Sequence, residues 1–104
     1  MLFAASMRLL IVASTPGKLR DVEGLSTAAA KAGHNVTIFF NEDAVQLLKN
    51  PSPVEYLYAD LLACRLSAME YKISIENMAV NARMNSLGEL VDQLEANDKV
   101  VFLG

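Results

Sequence analysis

One cysteine and one histidine narrow the chemistry open to this chain. Cys64 is the only thiol, so there is no disulfide framework and no cysteine-rich zinc site. His34 is the only imidazole, which argues against a His-based metal site. A thiolate acts as a nucleophile or a group carrier where its surroundings favour the anion. Cys64 stands where a predicted strand, Asp60–Cys64, passes into a predicted helix, residues 65–71. The unpaired amides of a helix start favour an anion, and Arg65 adds positive charge beside it. The other reading is a buried, inert cysteine, which is common for this residue type. Position alone leans towards that second reading. His34 follows Gly33 in a helix-to-strand turn at the opposite end of the expected sheet, so no Cys–His catalytic pair is expected.

Other polar clusters have plainer explanations. Ser14-Thr15-Pro16-Gly17-Lys18 has one glycine and a leucine after the lysine, short of the G-x-x-x-x-G-K-[ST] phosphate loop. It reads as a turn, with at most a weak anion site at the helix that follows. Asn41-Glu42-Asp43 fits a helix cap with acids in the first turn better than a metal-binding cluster. A phosphoacceptor domain would need an acid pair after the first strand, where Ser14 and Thr15 stand. A hydrolase built on Ser14 or Ser67 lacks a visible base.

The elements that must position these residues follow from hydrophobic pattern. Residues 7–13 (MRLLIVA) form a continuous apolar run, with Arg8–Ala13 read as a strand buried on both faces. Leu19, Val22, Leu25, Ala28, Ala29 and Ala32 recur at helical spacing, and Gly33 ends that helix. Residues 36–40 (VTIFF) read as a second strand. Asn41 caps a second helix with Ala44, Val45, Leu47 and Leu48 inward, stopped at Asn50-Pro51. Residues 54–59 fit a short helix or extended chain equally. In the helix at 65–71, Leu66 and Met69 are expected inward. A short strand is expected near residues 80–84. Ser86 and Glu89 match the capping box of a last helix whose stripe is Leu87, Leu90, Val91 and Leu94. Lys99–Leu103 (KVVFL) is the closing strand. Met69, Tyr71, Met78 and Met84 read as core filling or as a subunit interface.

Alternating strands and helices predict a three-layer α/β/α sandwich with a mainly parallel sheet of about five strands. The working crevice of such a sheet lies at the carboxyl ends of its strands. Ser14, Asn41, Arg65 and Ser67 are therefore the expected crevice neighbours of Cys64. The 104 residues make one domain, with residues 1–6 a dispensable lead if Met7 is the start. A composition 53% hydrophobic and 20% charged excludes a disordered chain. A net charge of -3, with nine scattered basic residues, argues against nucleic-acid binding. No stretch is long enough to span a membrane, and the apolar start lacks a basic leader and a cleavage site. The expectation is a cytoplasmic protein with a reduced thiol.

Three stretches resemble the DsrE/DsrF-like proteins, a group associated with intracellular sulfur transfer. Ala32-Gly33-His34-x-Val36-x-Ile38-Phe39-Phe40, followed by Glu42-Asp43-Ala44-Val45, is similar to that family's second strand and the helix after it. Ala63-Cys64-Arg65-x-Ser67-Ala68, then Ile73 and Glu76-Asn77-Met78, resembles its cysteine segment, the more specific of the three. Ser86-x-x-Glu89-Leu90 through Asp98-Lys99-Val100-Val101-Phe102 resembles its closing helix and strand. The chain departs from the pattern at Tyr71-Lys72-Ile73, where a glycine is often found.

The resemblance implies a parallel α/β sandwich that assembles as a homo- or hetero-oligomer, with a trimer or hexamer favoured. It also implies that Cys64 carries sulfane sulfur as a persulfide between donor and acceptor proteins, in the manner of a sulfurtransferase or sulfur carrier. The alternative is a non-catalytic oligomeric scaffold or small-ligand-binding module of the same fold. No cofactor, metal, nucleic acid or membrane enters either reading.

Overall fold

The computed structural model describes residues 6–104. The lead expected at residues 1–6 lies, apart from Ser6, outside the described residues. Five strands form one sheet: β1 (Arg8–Ala13), β2 (Asn35–Phe40), β3 (Asp60–Cys64), β4 (Ala82–Asn85) and β5 (Lys99–Leu103). Their order is β4-β3-β2-β1-β5, and every neighbouring pair is parallel. The helices are α1 (Leu19–Lys31), α2 (Arg65–Glu70) and α3 (Leu87–Ala96). This is the expected parallel three-layer α/β sandwich.

The apolar strand runs are explained by burial on both faces. Successive residues point to opposite sides, so each strand feeds two cores. On one side Ile11, Ile38, Phe40, Leu61 and Ala63 pack beneath α1, α2 and a 3-10 helix, Glu42–Leu48. On the other side Leu10, Val12, Phe39, Leu62 and Cys64 form a smaller core, against which Leu90 of α3 and Val100 of β5 pack. α1 ends as expected, with Gly33 at φ +86°, a conformation that glycine adopts without strain.

Three local expectations are corrected. Residues 42–48 wind as a 3-10 helix instead of an α-helix. Three residues per turn bring Ala44, Val45, Leu47 and Leu48 all into the core. In α2, Leu66 and Met69 are 63% and 70% exposed, while Ser67 and Ala68 are buried. Hydrogen bonds from Ser67 anchor that side of the six-residue helix and turn the i, i+3 pair outward. In α3, Leu87, Val91 and Leu94 stay substantially exposed, and Leu90 alone of the stripe packs on the core. The cause is coverage: a ten-residue helix is about 15 Å long, and it crosses a five-strand sheet about 19 Å wide on its own.

The remaining differences are smaller. The undecided segment at residues 54–59 is a chain of turns with Val54 and Leu57 buried. The short strand near 80–84 is β4, two residues further along at its start, and Val80 is exposed. Met78 is core and Met69 is surface, while Tyr71 and Met84 are half-buried.

Candidate functional site

Because all five strands are parallel, their carboxyl ends share one edge of the sheet. Backbone bonds close that edge. The N–H of Ser14 donates to Leu103 O at 3.1 Å, and the N–H of Asn41 donates to Ala13 O at 2.8 Å. Cys64 is the last residue of β3 and the residue that caps α2, with extended backbone (φ -60°, ψ 120°). Its side chain makes no capping hydrogen bond. It is 2% exposed and belongs to the core beneath α3, with Leu10, Val12, Phe39 and Leu62.

The other expected crevice residues divide. Arg65 follows Cys64 and is exposed. Ser67 and Asn41 are brought together: the Ser67 hydroxyl donates to Asn41 Oδ1, and both oxygens accept the N–H of Glu42, at 2.9 Å and 3.0 Å. This knot sits with the core beneath α1 and α2, whereas Cys64 faces α3. Ser14 shares the edge, but β2 stands between its strand and β3. Tyr71 adds a further tie, donating its hydroxyl to Asp43. That bond, with burial and the negative charge of Asp43, pushes the phenol up to about 12.

One residue that the sequence reading did not place at the site pairs with Cys64 in the sheet, and a second is bonded to that residue. Asn85 is its register partner on β4, on the same face of the sheet, and is 7% exposed. With its nitrogen facing the carboxylate, the Asn85 amide donates to Glu89 Oε2 and Oε1 at 3.1 Å and 3.2 Å. Glu89 is in turn held by the capping box. The Ser86 N–H donates to Glu89 Oε1 at 2.9 Å, and the Glu89 N–H donates to Ser86 Oγ at 3.1 Å. These bonds, chiefly the Ser86 N–H and then its hydroxyl, hold the Glu89 carboxyl below its ordinary value; the charges of Arg65 and Arg83 add to the effect. The sequence marks Asn85 only as the residue before the capping Ser86; its place beside β3 comes from the strand order of the sheet.

The opposite edge of the sheet holds His34, whose Nδ1 accepts the N–H of Met7 at 3.0 Å. A broad hollow of about 970 Å³ lies there, lined by His34, Tyr56, Tyr58 and Asp60 among others. Cys64 is not among its lining residues. Among the described residues no group of three His, Cys, Asp or Glu is placed to hold a metal ion, and no helix is long and apolar enough to cross a membrane.

Known proteins supply the comparison. The crystal structure of the YchN protein from E. coli superposes with a TM-score of 0.77 at 17% identity, covering 95% of this chain and 100% of that one. A protein of unknown function from Methanobacterium thermoautotrophicum, MTH1491, superposes with a TM-score of 0.67 at 14% identity, covering 92% and 99%. At these identities the likeness is one of fold. No curated protein matches the sequence. The sequence pattern of the DsrE/DsrF-like family matches residues 7–103, nearly the whole chain. The chain therefore belongs to the DsrE/DsrF-like family.

Proposed function

We propose that this protein is a small cytoplasmic sulfur carrier that holds sulfane sulfur as a persulfide on Cys64. The observation that carries the reading is the position of Cys64, closing β3 and opening α2 at the carboxyl edge of a parallel sheet, in a chain of this family. The Cys64 thiolate attacks the outer sulfur of a donor persulfide. A new S–S bond forms on Cys64, the donor's S–S bond breaks, and the donor leaves as a thiolate. The proton on the outer sulfur travels with it, and no net oxidation occurs. With one cysteine per chain, no intramolecular disulfide can discharge the sulfur, so it passes to a partner protein or a small thiol.

Assembly is part of the proposal, as a homo-oligomer, with a trimer or hexamer favoured. Leu66 and Met69 on α2, Leu87 and Val91 on α3 and Phe102 on β5 are each 48% exposed or more, apolar side chains of the kind that a second copy would cover. Light scattering at micromolar concentration tests this; a monomer overturns it.

One observation favours a second reading, a non-catalytic oligomeric scaffold or small-ligand-binding module. Cys64 is 2% exposed and packed among aliphatic and aromatic side chains, as an inert core cysteine would be. The rate of thiol alkylation measured against pH separates the two. A carrier thiol reacts near neutral pH in the folded protein, and a core thiol reacts only as the protein unfolds. Incubation with a sulfurtransferase and its substrate tests carriage itself: wild type gains sulfur mass, and Cys64→Ser does not.

A further inference from the structure

We propose that a polar hollow at the amino edge of the sheet, on the α3 side, is a binding site for a small α-amino acid in its zwitterionic form. Arg8 takes the carboxylate and Asp60 takes the ammonium group. The site lies at the other end of the strands from Cys64 and does not depend on the carrier reading.

The hollow has a volume of about 310 Å³, and its polar lining is Arg8, Asn35, Thr37, Asp60, Gln93 and Asn97. Side chains alternate along a strand, so Arg8 shares a face with Leu10 and Val12, Thr37 with Phe39, and Asp60 with Leu62 and Cys64. That face is apolar towards the carboxyl edge and polar towards the amino edge. The opposite face stays apolar at the same height, where Leu9 and Val36 are 8% and 5% exposed. Nearness to the edge alone therefore does not account for the polar set. Arg8 is in register with Asn35, and Thr37 with Asp60, so three strands array it. The Arg8 N–H donates to Asp98 Oδ2 at 2.8 Å, and the Asn35 N–H donates to Met7 O at 2.9 Å. These bonds use main-chain donors, and the guanidinium and the amide remain as lining groups.

β2 separates Arg8 from Asp60, and the two stand two residues apart along the strands, a Cα separation of about 12 Å. The long Arg8 side chain and one hydrogen bond at each end narrow that gap to the span of a small zwitterion. A guanidinium matches a carboxylate with two parallel hydrogen bonds, and a carboxylate accepts from an ammonium group. α3 ends here with no basic residue in its last turn, and the partial negative charge of a helix end favours a cation. Asn97 Nδ2 donates to Gln93 Oε1 at 3.1 Å, which leaves the Gln93 nitrogen as a donor and Asn97 Oδ1 as an acceptor. Opposite charges at the two ends, with amides between them, suit a ligand charged at both ends. The volume is at the small end for ligand pockets, so the amino acid has a small side chain. Arg8, Asn35 and Asp60 are exposed, which opens the hollow to solvent.

The test is an NMR titration of the full chain with L-alanine, reading the backbone amide shifts of Thr37 and Gln93. Acetate and methylammonium, which carry one charge each, are titrated in parallel. Arg8→Gln and Asp60→Asn each remove one charge at an exposed position, with circular dichroism reporting the fold. Wild type is expected to saturate with L-alanine at about millimolar concentration. Each variant is expected to bind it about tenfold more weakly, the loss of one charge-assisted hydrogen bond. Each half-ligand is expected to bind wild type more weakly than L-alanine by at least about the same factor. Shifts that do not saturate overturn the proposal, as does a folded variant that binds L-alanine as wild type does. Acetate or methylammonium binding as tightly as L-alanine also overturns it, since a site for a single charge would then suffice. If one variant does not fold, the other decides.

Discussion

The hydroxyl of Ser67 donates to Oδ1 of Asn41 at 3.3 Å and accepts the N–H of Glu42 at 2.9 Å, so the first turn of α2 is tied to the end of β2. Glu42 sits at φ +49°, a strained conformation for a side-chain-bearing residue, and its N–H has two acceptors to hold it there. Ser67→Ala removes one acceptor and leaves part of a buried polar knot unpaired. The expected loss is about 1–2 kcal/mol, read as a lower denaturant midpoint with an unchanged m-value. Because the knot faces the α1 side of the sheet, the alkylation rate of Cys64 in the folded state should stay as in wild type.

The tie between Tyr71 and Asp43 has a signature at high pH. The folded phenol is raised from 10.0 to about 12, so the contact stabilises the protein fully below pH 10 and is lost as pH rises through the folded value. Tyr71→Phe should be less stable than wild type at neutral pH, and the gap should close between those two values. Urea midpoints of the pair, measured across that range, check the sign. A gap that widens with pH contradicts the assignment.

Glu89 behaves in the opposite sense. Its carboxyl is lowered from 4.5 by the Ser86 bonds, so its contribution is present above that value and disappears as pH falls through the folded one. Glu89→Ala should be destabilised by a constant amount at neutral pH and should approach wild type in acid. Thermal melts of both proteins over the acid range read this directly.

Access to Cys64 depends on α3. Leu90 is the residue of that helix packed on the core containing Cys64, and α3 has no fully buried residue of its own. A segment held by so few apolar contacts opens locally at low cost. Leu90→Ala removes about 1–2 kcal/mol of half-buried contact, which corresponds to roughly a tenfold gain in the open population. Cys64 should be alkylated faster by about that factor, without global unfolding. An unchanged rate would mean that reagents reach the sulfur by another route.

Most of the scaffold was legible because a parallel sheet writes itself as unbroken apolar runs. Arg8–Ala13, Asp60–Cys64 and Lys99–Leu103 are strands at the boundaries read from sequence, and the Ser86–Glu89 capping box is formed. The failures lie where a short helix has more apolar residues than it can bury. Leu66 and Met69 face outward because Ser67 is hydrogen-bonded inward, a preference that periodicity cannot register. The α3 stripe stays open because one helix covers a whole face, a property of the layer and not of the helix. At the site, Cys64 was found by its residue type. The face it points to, and hence its neighbour Asn85, depended on strand order, which no local pattern encodes.

Sulfur carriage by Cys64 has a direct readout in intact-protein mass spectrometry. The folded protein is incubated with a sulfurtransferase and its sulfur-containing substrate, then analysed without reductant. Wild type is expected to gain the mass of added sulfur, a thiol reductant to remove it, and Cys64→Ser to gain none. A wild type that stays at its original mass, or a Cys64→Ser variant that gains as much, would contradict it.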